Sequence, residues 1–180
     1  MTHSGLTNLV LIGFMGAGKS TVARICARRL GMTLCDTDHI LETRFQASIT
    51  QVFAQLGEKE FRRQETNLVQ ELSTGSRQVI ATGGGVVMNP MNVAALRATG
   101  LVILLNADTD TIVERVRHQT HRPLLMGVTD LPTHIASLLA QRTPAYREAA
   151  HCTVEIRGLT AAESAANVIN LFKTISGEGK

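Results

Sequence analysis

Short apolar runs alternate with amphipathic stretches along almost the whole chain. Leu9-Val10-Leu11-Ile12 is a continuous apolar run that ends in a glycine-rich turn. A run of that length without polar alternation suits a strand buried on both faces, as in a parallel sheet. From Ser20 to Leu30, Val22, Ile25, Cys26 and Leu30 fall on one stripe, with Arg24, Arg28 and Arg29 elsewhere. This predicts an amphipathic helix with Gly31 as its C-cap. The pattern next predicts a strand over Met32–Cys35, a helix after Asp38 and a short helix over Thr50–Leu56 stopped by Gly57. Glu58–Leu72 carries Phe61, Leu68, Val69 and Leu72 at helical spacing, and Gln78–Ala81 reads as the third strand. Asn89-Pro90 opens a helix that Gly100 closes. Leu101–Leu105 is the fourth strand and the most apolar, and Asp108 caps a helix holding Ile112, Val113 and Val116. Periodicity is then lost from Arg117 to Asp130, which predicts a long mobile loop, uncommon in a compact domain unless functional. Leu131–Gln141 reads as helix, Thr153–Ile156 as a fifth strand, Thr160–Ile175 as a last helix, and the tail from Ser176 as frayed. Strands alternating with helices predict an α/β fold with a parallel sheet.

At 180 residues the chain is expected to be a single domain, residues 1–180, large enough to bury a substantial core. Apolar residues make up 44% and aromatics only 3%, with no Trp and one Tyr. That argues against a nucleic-acid binder built on aromatic stacking. The formal charge of +3 comes without a Lys/Arg run of nucleic-acid-binding length. Arg outnumbers Lys, which favours planar contacts to phosphates and carboxylates and thus a small anionic substrate. Cys26, Cys35 and Cys152 are odd in number and show no CxxC spacing, so neither a disulfide framework nor a zinc site is expected. The first apolar run is too short for a signal peptide or a membrane span, and the expectation is a cytoplasmic protein with no membrane partner. Cys26, Met88 and Met91 are expected to be packing residues, and the six His show no metal spacing.

Gly13-Phe14-Met15-Gly16-Ala17-Gly18-Lys19-Ser20 fits G-x-x-x-x-G-K-[ST] at every defined position. It lies between the apolar strand and the amphipathic helix, the context a P-loop requires. The glycines let backbone N–H groups curl around a phosphate, and the helix start adds its dipole. Lys19 then reaches the β- and γ-phosphates, and the Ser20 hydroxyl ligates Mg²⁺.

Three further features narrow the reaction. Asp36-Thr37-Asp38 ends the second strand, where ligands bind in an open parallel sheet. One carboxylate could hold a metal-bound water and the other could accept a hydroxyl proton, or the segment could simply cap the next helix. Gly83-Gly84-Gly85 follows the third strand and allows close backbone approach to a ligand, or is a plain turn. Arg62, Arg122 and Arg142 could together bind a carboxylate and a transferring phosphoryl group.

In order along the chain stand Phe14-Met15-Gly16-Ala17-Gly18-Lys19-Ser20-Thr21, Asp36-Thr37-Asp38, Gly57-Glu58-Lys59-Glu60-Phe61-Arg62, the glycine triplet, Arg122-Pro123-Leu124-Leu125 and Arg142-Thr143-Pro144-Ala145-Tyr146. This series resembles the shikimate kinases, from about residue 9 to residue 147. The resemblance implies a three-layer α/β P-loop kinase fold with a five-stranded parallel sheet flanked by helices. A substrate-binding region over about 36–65 and a mobile lid over about 117–130 go with it. It implies transfer of the γ-phosphate of ATP to the 3-hydroxyl of shikimate, with Mg²⁺, in aromatic amino acid synthesis. Carried over by motif, Gly16, Ala17, Gly18, Lys19, Ser20 and Thr21 hold ATP, with Arg115 stacking on adenine. Arg157 lies near the adenine pocket. Asp38 holds the reacting hydroxyl, Lys19 and Arg122 act at the phosphates, and Ser20 and Asp36 hold the metal. Arg62 and Arg142 clamp the shikimate carboxylate, with Glu65 orienting Arg62. Gly83, Gly84 and Gly85 contribute backbone to the substrate site. ATP and shikimate are the expected partners of a monomer, with no nucleic acid. A gluconate-type sugar-acid kinase is the alternative, a nucleoside monophosphate kinase is third, and a non-catalytic P-loop regulator or an excised domain is the reading from another class. The intact Lys19, Ser20, Asp36, Asp38 and Arg122 speak against a dead site, and the Met1 start and short tail against excision.

Overall fold

In the computed structural model, which describes residues 6–117 and 128–177, the five expected strands form one sheet. β1 (Asn8–Ile12), β2 (Thr33–Asp36), β3 (Gln78–Ala81), β4 (Gly100–Asn106) and β5 (Cys152–Glu155) are all parallel, in the order β2-β3-β1-β4-β5. The apolar run read as β1 is the central strand, and all five of its residues are buried. Val10 stands in register between Ile80 of β3 and Val102 of β4. Asn8, a fully buried polar residue at its start, is satisfied on both sides of its amide. Its Nδ2 donates to the Gly75 carbonyl at 2.9 Å, and its Oδ1 accepts from the Gln78 N–H at 3.0 Å.

Seven helices among the described residues connect and cover the strands: α1 (Lys19–Leu30), α2 (Thr37–Phe45), α3 (Ile49–Leu72), α4 (Pro90–Thr99), α5 (Thr109–Val116), α6 (Leu131–Ala149) and α7 (Ala161–Ser176). A 3-10 turn, Val86–Met88, precedes α4. α1 packs on α7 and on β3, α4 on β4 and α5 on α6. The main core runs from β1 and β4 out to Phe172 of α7. A second, smaller cluster of Leu41, Val52, Phe61 and Leu68 lies between α2 and α3. Cys26 is buried in the main core, as its stripe position implies.

Three local readings differ from the sequence expectation, and the break at Gly57 agrees with it. α2 begins at Thr37 instead of after Asp38, because the Asp36 carboxylate accepts the His39 N–H at 3.3 Å and caps it. The two helices expected on either side of Gly57 are both present within α3, separated as expected at that residue by a kink with a non-helical φ of 78°. α6 runs through Pro144 to Ala149 instead of ending near Gln141. Proline removes one helical hydrogen bond, but Tyr146 and Ala149 beyond it are buried, and that burial outweighs the local loss. Met88 and Met91 are 53% and 61% exposed, not packed, because Val86 and Val87 take the inward positions of the turn. The expected loop over 117–130 lies mostly outside the described residues, and so do Arg122, His118 and His121.

Candidate active site at the carboxyl ends of the strands

Each of the five strands ends toward the same edge of the sheet, and each sequence-predicted site segment follows one of them. After β1 the chain turns at Gly13, whose φ is 145°. A β-carbon there would meet the Leu105 carbonyl oxygen at 2.6 Å, so only glycine fits. Gly18, in the left-handed region, is the N-cap of α1 and contributes no side-chain cap. The first N–H groups of a helix have no intrahelical partner, so this end of α1 is an anion-binding terminus. Lys19 is buried against its own loop, its ammonium donating to the Gly13 and Phe14 carbonyls at 2.8 and 3.0 Å.

A cavity of about 450 Å³ opens over this loop. The expected nucleotide-binding residues from Gly16 to Thr21 line it, together with Arg115, whose guanidinium donates to the Gly16 carbonyl at 3.2 Å. Asp38, Thr82 and Gly84 bring the ends of β2 and β3 to the same cavity. Arg157 does not line it. Its side chain is 78% exposed and pairs with Asp108, the N-cap of α5, at 3.0 Å. Ala161 and Ser164, at the start of α7, line the cavity instead. Nothing in the sequence around them signals that role, because it arises from the packing of α7 on α1. Ser20 lines the cavity, whereas Asp36 does not; its carboxylate is engaged at the N-terminus of α2.

Beside the cavity, two carboxylates close over Gly83. A carbon placed on its Cα would stand 2.7 Å from Oδ1 of Asp38 and 2.9 Å from Oε1 of Glu65. The Gly83 N–H donates to the Thr37 hydroxyl at 2.9 Å, which ties the glycine turn to the first turn of α2. Glu65 is 1% exposed; its Oε2 accepts from Arg62 at 2.8 Å while its Oε1 has no partner. Burial raises the Glu65 pKa; Arg62 opposes the shift and Asp38 adds to it. For Arg62, burial works against the charge, but Glu65 and Glu58 outweigh it and raise its pKa further.

Arg62 has an elaborate seat. Glu58 accepts from it at 3.2 Å, and its guanidinium carbon lies 5.3 Å from the ring centroid of Phe61 and 5.8 Å from that of Phe53. Its two terminal nitrogens also lie against Cα of Gly85. Arg142, on α6, places its guanidinium carbon 5.9 Å from the ring of Phe14 in the P-loop. One helical turn later the Tyr146 hydroxyl donates to the Gly84 carbonyl. Arg142, Arg62 and Glu65 all act electrostatically on that phenol, so residues remote in sequence converge there. No role follows from the sequence for Phe53, nor for Thr37 and Tyr146, although the last two stand inside motifs of the series. A threonine between two aspartates and a lone tyrosine were the available signals.

An anion-binding loop faces a pocket of paired carboxylates and arginines, all at one edge of a parallel sheet. That arrangement defines a P-loop phosphotransferase for a small acceptor. A family model described as shikimate kinase matches residues 15–173. The shikimate kinase of Thiobacillus denitrificans is 44% identical over 165 residues, covering 92% of this chain and 87% of that protein. That of Thermodesulfovibrio yellowstonii is 37% identical over 171 residues, covering 95% and 98%. Among solved structures, the shikimate kinase from Acinetobacter baumannii in complex with shikimate superposes with a TM-score of 0.89 at 36% identity, over 95% of each chain. The chain belongs to the shikimate kinase family. A gluconokinase from Sinorhizobium meliloti, at 13% identity and a TM-score of 0.55, shares the fold alone.

Proposed function

We propose that the protein transfers the γ-phosphoryl group of ATP to the 3-hydroxyl of shikimate, giving shikimate 3-phosphate and ADP for aromatic amino acid biosynthesis. The observation that carries this reading is the meeting of the P-loop cavity with Asp38, Glu65 and Arg62 around one glycine turn. Phosphoryl transfer needs positioning and charge neutralisation more than covalent chemistry. The backbone N–H groups from Gly16 to Thr21 cradle the phosphates, and Lys19 exchanges its loop carbonyls for the β- and γ-phosphate oxygens. Arg115 lies along the nucleotide base, with Arg157 at the rim. The Ser20 hydroxyl and the Asp36 carboxylate are hard oxygen donors of the kind that hold Mg²⁺ with phosphates. When bound, Mg²⁺ would offset the negative charge of the phosphates during transfer. Asp38 holds the reacting hydroxyl and accepts its proton. Arg62, oriented by Glu65, and Arg142 receive the carboxylate, while the triplet Gly83–Gly85 presents its backbone, with the Gly84 N–H toward the substrate. By the family resemblance Arg122, which lies outside the described residues, supplies positive charge at the γ-phosphate. On this reading the enzyme is a cytoplasmic monomer whose partners are ATP and shikimate.

The test is ADP release from MgATP with shikimate, gluconate or a nucleoside monophosphate added in turn. Release dependent on shikimate is expected. Release only with gluconate or a nucleotide would keep the P-loop chemistry and overturn the substrate, and no release with any acceptor would overturn the catalytic reading.

A further inference from the structure

Tyr146 is the only tyrosine of the chain and is 3% exposed. If packing alone mattered there, phenylalanine would serve. A buried hydroxyl instead demands a partner, and this one donates to the main-chain carbonyl of Gly84. Burial pushes the phenol up to about 12, so it stays a donor throughout the neutral range. The carbonyl it holds belongs to the peptide between Gly84 and Gly85. On one side of that peptide, Gly84 lies against the P-loop: a carbon on its Cα would stand 3.4 Å from the Met15 nitrogen. On the other, Gly85 is the floor under Arg62, where a carbon would stand 2.5 Å from Nη1 and 2.6 Å from Nη2. Tyr146 and Arg142 are four residues apart and share one face of α6. Arg142 meets Phe14, so a single helix face grips both the P-loop and the glycine turn.

Building on the proposed shikimate kinase activity, we infer that Tyr146 is a positioning residue. Its hydroxyl fixes the Gly84–Gly85 peptide and so sets the floor on which Arg62 rests and the spacing between Arg62 and Arg142. Loss of the hydroxyl acts on acceptor binding and leaves the nucleotide side and the transfer step largely intact.

Tyr146→Phe keeps the ring and removes only the oxygen. Steady-state kinetics are expected to show a shikimate KM raised about 5- to 20-fold, the ratio one lost buried hydrogen bond supports. The ATP KM stays unchanged, and kcat stays within about threefold. A shikimate KM within twofold of the parent overturns the inference, as does a fall in Tm and kcat with KM unchanged, which is what packing alone would give. The parent enzyme is assayed alongside: if it does not turn over shikimate, the activity reading itself fails, whatever the variant does. Should the variant not fold, replacing tyrosine throughout with 3-fluorotyrosine labels this one position. Its ¹⁹F resonance is expected to move when shikimate is added and to stay put with gluconate. A resonance indifferent to shikimate overturns the inference.

Discussion

Gly85→Ala separates the geometry of the acceptor pocket from the stability of the fold. Gly85 sits at φ −100° and ψ −4°, outside the left-handed region and open to alanine. The added methyl would nonetheless stand 2.5 Å from Nη1, 2.6 Å from Nη2 and 2.7 Å from Cζ of Arg62, where ordinary contact begins at 3.4 Å. The guanidinium must therefore withdraw by about 1 Å. It cannot do so and keep its 2.8 Å bond to Glu65. Because the obstruction is the far end of a flexible, partly exposed side chain, the steric part of the folding cost is small, about 1 kcal/mol or less, and weakening of the Arg62–Glu65 pair adds to it. The reduced freedom of the unfolded chain offsets about 0.4–1 kcal/mol of it. A misplacement of about 1 Å at a reacting complex can cost about 100-fold, so the shikimate KM is expected to rise about 10- to 100-fold with the ATP KM unchanged. Steady-state kinetics with each substrate varied, beside a thermal melt, read both quantities. A folded variant with the parent's shikimate KM would refute the seat assigned to Arg62, and a collapse of Tm would refute the claim that the clash is local. Gly13→Ala is the contrasting control, since there the obstruction is backbone and φ is 145°, and loss of the fold is expected.

Three further outcomes follow from other parts of the structure. The phenol of Tyr146, raised by burial to about 12, titrates well above the unfolded value of about 10. Its contribution to stability is complete below pH 10 and is lost as pH rises toward 12; with one tyrosine and no tryptophan, absorbance at 295 nm reads the ionisation directly, and a midpoint near 10 in folded protein would contradict the burial argument. Phe172→Ala empties a fully buried ring position in the main core and is expected to cost about 3–5 kcal/mol in denaturant unfolding. Arg62→Ala should raise the shikimate KM, whereas Arg122→Ala should mainly lower kcat, and the reverse split would overturn the assigned division of labour. The Arg62 variant also leaves Glu65 buried without its cation, so its stability deficit should widen as pH rises and that carboxyl is forced to ionise.

Much of this architecture was legible because local chemistry and tertiary context agree. The P-loop has a backbone requirement at Gly13 and Gly18 that glycine meets, and its motif stands between an apolar run and an amphipathic stripe, so β1, the turn and α1 are legible together. Strand order was not legible, for it depends on which apolar runs pair: β3 inserts between β1 and β2, which is why Gly83 lies between the P-loop and Asp38. The helix expected over Leu131–Gln141 continues through Pro144 to Ala149, where Tyr146 is buried. The methionines of the turn before α4 looked like core by type, yet Val86 and Val87 already fill the inward positions. Asp36 served the reading in two ways that sequence could not rank, and the geometry shows its capping role directly. The seat of Arg62 needs Phe53 from one side of the Gly57 break and Glu58, Phe61 and Glu65 from the other, a convergence no spacing rule contains.

That break, with the small apolar cluster beneath it, divides responsibilities within the chain. Leu41, Val52, Phe61 and Leu68 pack among themselves, apart from the main core under the P-loop. The helices that carry Asp38, Arg62 and Glu65 thus have a foundation of their own, while Arg142, the glycine turn and the elements that handle the phosphoryl donor rest on the main core. Substitutions that redraw the acceptor pocket can accumulate in α2 and α3 and be absorbed locally, with the phosphate-handling apparatus undisturbed. A fold partitioned in this way lets descent with modification explore new acceptors while the donor chemistry is inherited intact.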